Sequence, residues 1–374
     1  MGKTVLVTTD DDARRPRPRS RRRTEPVAGA ADPEALFGEL PRTPNGVGAL
    51  WSHQADQLRT YANDHRDTPD VALELPTGSG KTLVGLLISE WRRRTLGQRV
   101  VYACPTKQLA RQVLQKASAQ GIPAVLLVGT HWDWDKAELA RYTRGDAIAI
   151  TTYSAIFNIN SHLGDAQTLV FDDAHAAEEF VAKAWSLIIN RKMDEYERLF
   201  DALVDSVEPS FLARMVAPDG PAADASEVRL IPIGAVARHA KDIDRVLAGL
   251  KGNPMYRFRM LRESLSSCLF YVSRREFYIR PMIPPTFEHT PFTAPVQRLY
   301  LSATLGDAGE LERAFGRTDI KRVPYPRRGT APAAVVVSSS SPSSQLPRPR
   351  HQSRPKTPRM RSGRTRAWSA TCST

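Results

Sequence analysis

Leu73-Glu74-Leu75-Pro76-Thr77-Gly78-Ser79-Gly80-Lys81-Thr82 is the stretch from which the rest of this 374-residue chain can be read. Val71, Ala72, Leu73 and Leu75 have the apolar character of a buried strand end. Pro76 to Gly80 turn tightly, and Lys81 opens a helix through Leu83, Val84, Leu86, Leu87 and Ile88. A strand, a glycine turn and a helix start together point several unpaired amides at one anion. Thr77, Gly78, Ser79 and Gly80 would then cradle phosphates, Lys81 would reach the outer ones, and Thr82 Oγ would hold magnesium. The strict pattern places Gly six residues before the Lys, and here that position is Leu75. A plain strand-to-helix turn is the bland alternative.

Upstream, Leu50, Trp51, Gln54, Leu58 and Tyr61 recur at three- and four-residue steps, which predicts a helix. Its Gln54 amide offers the donor and acceptor that adenine N7 and N6 require. Downstream, the β-rich run Arg99 to Ala103 leads into Pro105-Thr106-Lys107-Gln108-Leu109. Strands are predicted at Ala124–Val128, Ala147–Thr151 and Thr168–Phe171, with helices at Leu109–Ala119 and Lys136–Tyr142. Alternation at this spacing implies a parallel sheet covered on both faces, with ligands at the carboxyl ends of its strands. The last strand runs into Asp172-Asp173-Ala174-His175. Asp172 is placed to anchor magnesium, and Asp173 to orient or deprotonate an attacking water. Both are expected on a strand neighbouring the phosphate loop. Two acids opening a helix at its favourable end is the competing reading.

With 41% hydrophobic and 25% charged residues, the chain has the composition of a soluble globular protein. No apolar run reaches membrane length and residues 1–25 have no signal-peptide core, so a cytoplasmic protein without a membrane partner is expected. Three cysteines, Cys104, Cys268 and Cys372, lie too far apart to suggest a disulfide framework or a metal cluster. The net charge of +13 resides in the tails: residues 320–374 hold twelve Lys or Arg and no acid, and residues 1–25 hold eight bases against four acids. Nucleic-acid binding by the middle must therefore rest on local contacts, with the tails adding weak, salt-sensitive attraction. Asp10 to Glu25, rich in Arg and Pro, is expected to be disordered. Trp132 and Trp134 are assigned packing or surface roles.

Leu73–Thr82, Pro105–Leu109, Asp172–His175 and Ser302-Ala303-Thr304, with Gln54 upstream, follow the order of motifs I, Ia, II and III. In this the chain resembles superfamily 2 DEAD/DEAH-box helicases, specifically their first RecA-like lobe. The resemblance implies ATP and Mg2+ as cofactors and ATP-driven work on single-stranded nucleic acid, DNA ahead of RNA. It implies catalytic roles for Lys81, Asp172 and Asp173. Coupling of nucleotide state to strand contacts would fall to His175, Ser302 and Thr304. Strand-backbone contacts would fall to Thr106, Lys107, Thr152 and Tyr153.

Glu74-Leu75-Pro76, and the 130 residues separating Asp172 from Ser302, are similar to the xeroderma-pigmentosum-group-D class, which carries an arch insertion at this place. Residues 176–215 are expected to be helix-rich, 217–227 a linker, 236–273 helical again and 275–283 a strand. A protein partner for this insertion is a further expectation. That class holds an iron-sulfur cluster through four cysteines, absent between Pro105 and Ser267, so no cluster is expected. The family glutamate is Asp173, one methylene shorter, which sets the carboxylate back by about 1.5 Å.

The expected fold class is α/β: a RecA-like P-loop parallel sheet with helices on both faces, a largely helical arch-like insertion, and no second RecA-like lobe. The expected domains are a disordered basic segment 1–45, the ATP-binding lobe 46–180, the insertion 181–285, a return to the lobe over 286–324, and a disordered Arg/Ser/Pro tail 325–374. No Gln-x-x-Gly-Arg element follows Leu305, so hydrolysis by this chain alone is expected to be impaired. The abrupt change to Arg, Pro and Ser leads to the expectation that the tail from about Tyr325 is a frameshifted or early-ended reading of a longer gene; absence of a Gln-x-x-Gly-Arg motif from both other frames of the coding DNA would refute it. A non-hydrolysing ATP-binding scaffold is the alternative function.

Overall fold

The computed structural model describes residues 29–158, 160–216, 227–306 and 309–326. Among these, the strands are β1 (Asp70–Glu74), β2 (Val100–Cys104), β3 (Ala124–Leu126), β4 (Ile148–Thr152), β5 (Thr168–Asp172), β6 (Leu187–Asn190), β7 (Val228–Ile231), β8 (Cys268–Ser273), β9 (Glu276–Pro281), β10 (Gln297–Ser302) and β11 (Lys321–Val323). Seven form an all-parallel sheet in the order β11-β1-β10-β5-β2-β4-β3. Parallel strands buried on both faces read as continuous apolar runs, as in VVYAC of β2 and TLVFD of β5, where every residue is buried.

The helices that position the site are α1 (Pro33–Glu39), α2 (Ser52–Thr60), α3 (Lys81–Leu96), α4 (Lys107–Ala119) and α5 (Lys136–Arg144). Successive strand residues point to opposite faces. Leu299 and Leu301 of β10 therefore pack with Val84, Leu87 and Trp91 of α3, whereas Tyr300 packs on the other face with Phe171, Phe292 and Phe315. Gly97, at φ 62°, ends α3 in the left-handed conformation that glycine adopts without strain.

At the amino end of the sheet, Asp70 of β1 faces Arg298 of β10. The carboxylate accepts from Arg298 Nε (2.7 Å) and Nη2 (3.0 Å), from Tyr300 OH (2.7 Å) and from Arg317 Nη2 (2.8 Å). Asp70 and Arg298 are each 3% exposed, so this is a buried, fully bonded ion pair.

The structure corrects four expectations. The phosphate-loop strand β1 and the acidic strand β5 are not neighbours, because β10 lies between them. The insertion remains mostly helix by length, but its helices pack on a four-stranded antiparallel sheet in the order β6-β9-β8-β7. Residues 268–273, expected to be helical, are β8, whose alternate residues Cys268, Phe270 and Val272 are buried. Within the segment 1–45 expected to be disordered, Pro33–Glu39 is a helix. Asp32 caps it by accepting from Ala35 N at 2.7 Å, and it buries Leu36 and Phe37. Residues 1–28, residues 217–226 of the expected linker 217–227 and the tail from 327 onward lie outside the described residues. No helix among the described residues is long and apolar enough to cross a membrane.

Candidate active site

Chain geometry brings the motifs to one edge of the sheet. Pairing of β1 with β10 puts Glu74 beside Ser302, and Leu75 N donates to Ser302 O at 2.8 Å. Pairing of β10 with β5 puts Leu301 beside Asp172, and pairing of β2 with β4 puts Cys104 beside Thr152. The carboxyl ends of five strands thus share one layer.

The loop after β1 holds Gly78 at φ 85° and Gly80 at φ 79°, both left-handed. A Cβ at Gly80 would collide with Gln54 Nε2, so glycine there permits α2 to close on the loop. Gln54 is buried; its Nε2 donates to Ser79 O (2.9 Å), and its Oε1 accepts from Trp51 N (3.0 Å). His53 Nε2 donates to the same Ser79 carbonyl at 2.9 Å, a contact that sequence reasoning missed although His53 adjoins Gln54. Thus α2 fixes the loop backbone from one side. The first-turn N–H groups of α3, at Lys81 and Thr82, have no partner within the helix and face outward at its start.

Lys81 reaches both acids. Its Nζ is ion-paired with Asp173 Oδ1 and lies 3.7 Å from Asp172 Oδ1. Asp172 is 6% exposed, and its Oδ1 has no hydrogen-bond partner. Burial pushes the Asp172 carboxyl up, the Lys81 charge opposes this and Asp173 adds to it. The nearby Cys104 thiol is pushed up by burial and by the same two acids. Asp173 has φ 54°, the left-handed conformation that Asp tolerates better than most residues. Next along, His175 Nδ1 lies 3.3 Å from Ser302 Oγ, and Ser302 Oγ donates to Thr304 O at 2.5 Å. Ser302 therefore touches both of the other expected coupling residues.

Other expected residues divide. Thr77 and Gly78 are exposed on the loop, and the buried Ser79 Oγ has no partner. Thr82 Oγ accepts from Lys116 Nζ of α4 at 3.4 Å, a neighbour for which the sequence carried no signal. Thr106 caps α4 by accepting from Leu109 N at 3.2 Å, and Lys107 is exposed beside it. Thr152 is buried, with its Oγ 3.0 Å from Ser154 Oγ. Tyr153 is a correction: its side chain is fully buried and its hydroxyl donates to Asp172 O at 2.6 Å, so the ring supports the acidic strand tip and cannot touch a strand backbone.

The donor set fits a metal-bound triphosphate: an acceptor-only carboxylate oxygen left orphaned in a buried place, an ammonium above it, and a glycine turn with free amides. A cavity of about 280 Å³, lined largely by apolar groups of Val47, Trp51, Leu83 and Leu86, opens beside Gln54 and Thr82. One prediction arises directly. Because the Asp172 carboxylate is desolvated, lies beside the like-charged Asp173 and has one oxygen without a hydrogen bond, penalties that outweigh its 3.7 Å ion pair with Lys81, Asp172→Asn is expected to raise the melting temperature of the ligand-free chain. The same substitution is expected to remove any stabilisation by magnesium nucleotide. Thermal melts with and without that ligand test both halves, and a lower melting point without ligand would contradict the first.

The family model for DEAD/DEAH box helicases matches residues 53–200. The ATP-dependent DNA helicase Hel308 of Thermococcus kodakarensis is 26% identical over 132 residues, which are 35% of this chain and 12% of that protein. Among solved structures, Xpd4 of S. tokodaii aligns with a TM-score of 0.45 and 16% identity over 74% of this chain and 61% of that one. An XPD helicase aligns with a TM-score of 0.41 and 17% identity, over 73% and 61%. The chain therefore spans less than two thirds of the length of each of these proteins.

Proposed function

We propose that this chain, whose residues 53–200 match the family model for DEAD/DEAH box helicases, is the first RecA-like lobe of a superfamily 2 helicase that binds ATP with Mg2+ and couples its hydrolysis to movement on single-stranded nucleic acid. The observation that carries the reading is the convergence of Lys81, Asp172 and Asp173 at the carboxyl edge of one sheet. Thr77, Gly78, Ser79 and Gly80 offer the phosphate cradle, and Lys81 turns from the acids to the outer phosphates. Thr82 and Asp172 supply the metal's protein ligands. Bound magnesium would screen the phosphate charge and polarise the terminal phosphoryl group. Asp173 orients the attacking water, and its short side chain makes turnover by this chain alone slow. Gln54 presents its remaining N–H and lone pair to the base, which the adjacent apolar cavity suits in size and character.

Beyond the site, His175, Ser302 and Thr304 pass the nucleotide state on, and Thr106, Lys107 and Thr152 mark the strand track. DNA stands ahead of RNA because the named relative is a DNA helicase. We assign 46–180 and 286–324 to the ATP-binding lobe, and 181–285 to an insertion that meets a protein partner. Val228 and Leu230, exposed on its edge strand β7, support that assignment.

A second reading, ATP binding without turnover, is favoured by one feature: Asp173 stands where the family has glutamate and is held by Lys81. Titration with Mg-ATP followed by an ATPase assay, with and without single-stranded DNA or RNA, separates the two. Stimulated turnover is the expected result, binding without turnover supports the scaffold, and no nucleotide binding refutes both.

A further inference from the structure

The loop after β3 carries Gly129-Thr130-His131-Trp132-Asp133-Trp134 at the outer edge of the parallel sheet. It is held firmly. Asp133 Oδ2 accepts from Thr130 N (3.2 Å) and Thr130 Oγ (2.7 Å), and Trp134 is buried in the core. Yet Trp132, between those two anchors, is 84% exposed, more than any other large apolar side chain among the described residues. It does not stand alone. The His131 ring lies 4.1 Å from the Trp132 ring and stacks on His162 of another loop at 3.8 Å and 28° between planes. Three rings thus form a row. Lys107, at the start of α4, reaches this loop: a Cβ at Gly129 would lie 3.8 Å from Lys107 Nζ.

An exposed indole on a fixed loop gains almost nothing from burial, so its place is explained by a flat ligand. A planar aromatic face next to an ammonium group matches the two halves of a nucleotide in a single strand, base and phosphate. The neighbouring acids are already engaged within the loop and helix, Asp133 by Thr130 and Asp135 by Ala137 N and Glu138 N of α5. They stay charged, and Asp133 also interacts with the Lys107 ammonium, which a phosphate would have to share with it.

We propose that Trp132, backed by His131 and His162, is a base-stacking platform for single-stranded nucleic acid whose phosphate lies at Lys107. This rests on the nucleic-acid reading above and adds to it a sequence-tolerant contact with the bases.

The test compares binding of the full chain to a thymidine oligonucleotide and to an abasic chain of equal length, by fluorescence anisotropy. Trp132→Ala is expected to weaken thymidine binding by about 5- to 150-fold, leave abasic binding unchanged, and so close the gap between the two ligands. Trp132→Phe should keep most of that gap. Because the side chain is exposed, the melting curve of Trp132→Ala should match wild type. If wild type binds thymidine but Trp132→Ala does so equally well, or loses both ligands in parallel, the platform is overturned and the nucleic-acid reading stands. If wild type binds neither oligonucleotide, both are overturned.

Discussion

Lys81→Ala is expected to lower the affinity for Mg-ATP by about 30-fold or more and to abolish turnover. In the free chain the Lys81 ammonium lies between Asp172 and Asp173 and is the cation that offsets two adjacent carboxylates. On the proposed reading, that same ammonium turns to the outer phosphates of a triphosphate held by the loop. Removing one partner of a partly buried charge pair costs about 2–5 kcal/mol, which sets the size of the loss. A structural effect accompanies it. With the ammonium gone, Asp172 and Asp173 repel each other in a poorly solvated place, so the ligand-free variant should melt below wild type. Calorimetric titration with Mg-ATP reads the first effect and a thermal melt the second. Wild-type affinity in a folded variant would remove Lys81 from the site altogether.

Asp70→Ala is expected to destabilise the fold by about 3–5 kcal/mol, the range for stranding one member of a buried ion pair. Arg298 would keep its bonds to the carbonyls of Phe292 and Pro295 but lose the Asp70 carboxylate, while Tyr300 and Arg317 lose an acceptor. Burial alone would push the Asp70 carboxyl up. Hydrogen bonds from Arg298 and Tyr300, with the charges of Arg298 and Arg317, override it and hold the group below its ordinary value of 3.8. A depressed carboxylate stabilises the fold above its unfolded value, and that contribution is lost as pH falls through the folded one. Asp70→Asn should therefore show a smaller drop in melting temperature than wild type between about pH 5 and pH 3. Denaturant melts at neutral pH and in acid decide the matter. A loss below about 1 kcal/mol for Asp70→Ala would show that the pair is not as buried or as coupled as drawn.

The parallel sheet was legible because its central strands are apolar throughout and alternate with helices of clear period. The loop, the acidic tip and Ser302 then fell at strand ends as the pattern demands. Strand order was not legible: nothing local in residues 297–302 says that they insert between β1 and β5, since that pairing spans the whole insertion. The insertion's own sheet was missed for a related reason. β6, β7 and β8 are four to six residues long, and apolar runs that short fit a buried helix segment as well as a strand. Helix α1 did carry a signal, Asp32 followed by Pro33 and Glu34, but it was outweighed by the Arg/Pro composition just before it. Tyr153 looked like a loop residue near the strand track. Instead β4 ends at Thr152, and the short helix that follows turns the ring inward under Asp172.

The placement of β10 has a consequence for how this molecule comes into being. A ribosome delivers β1 and β5 long before β10, yet neither has its permanent partner across the gap until residues 297–302 emerge. Through that interval β1, whose partners β10 and β11 both come later, is unpaired on either side and β5 keeps one open edge; both are rich in apolar residues, the kind of surface that chaperones shield from aggregation. Assembly of the phosphate loop with its acidic counterpart is thus a late event of biosynthesis.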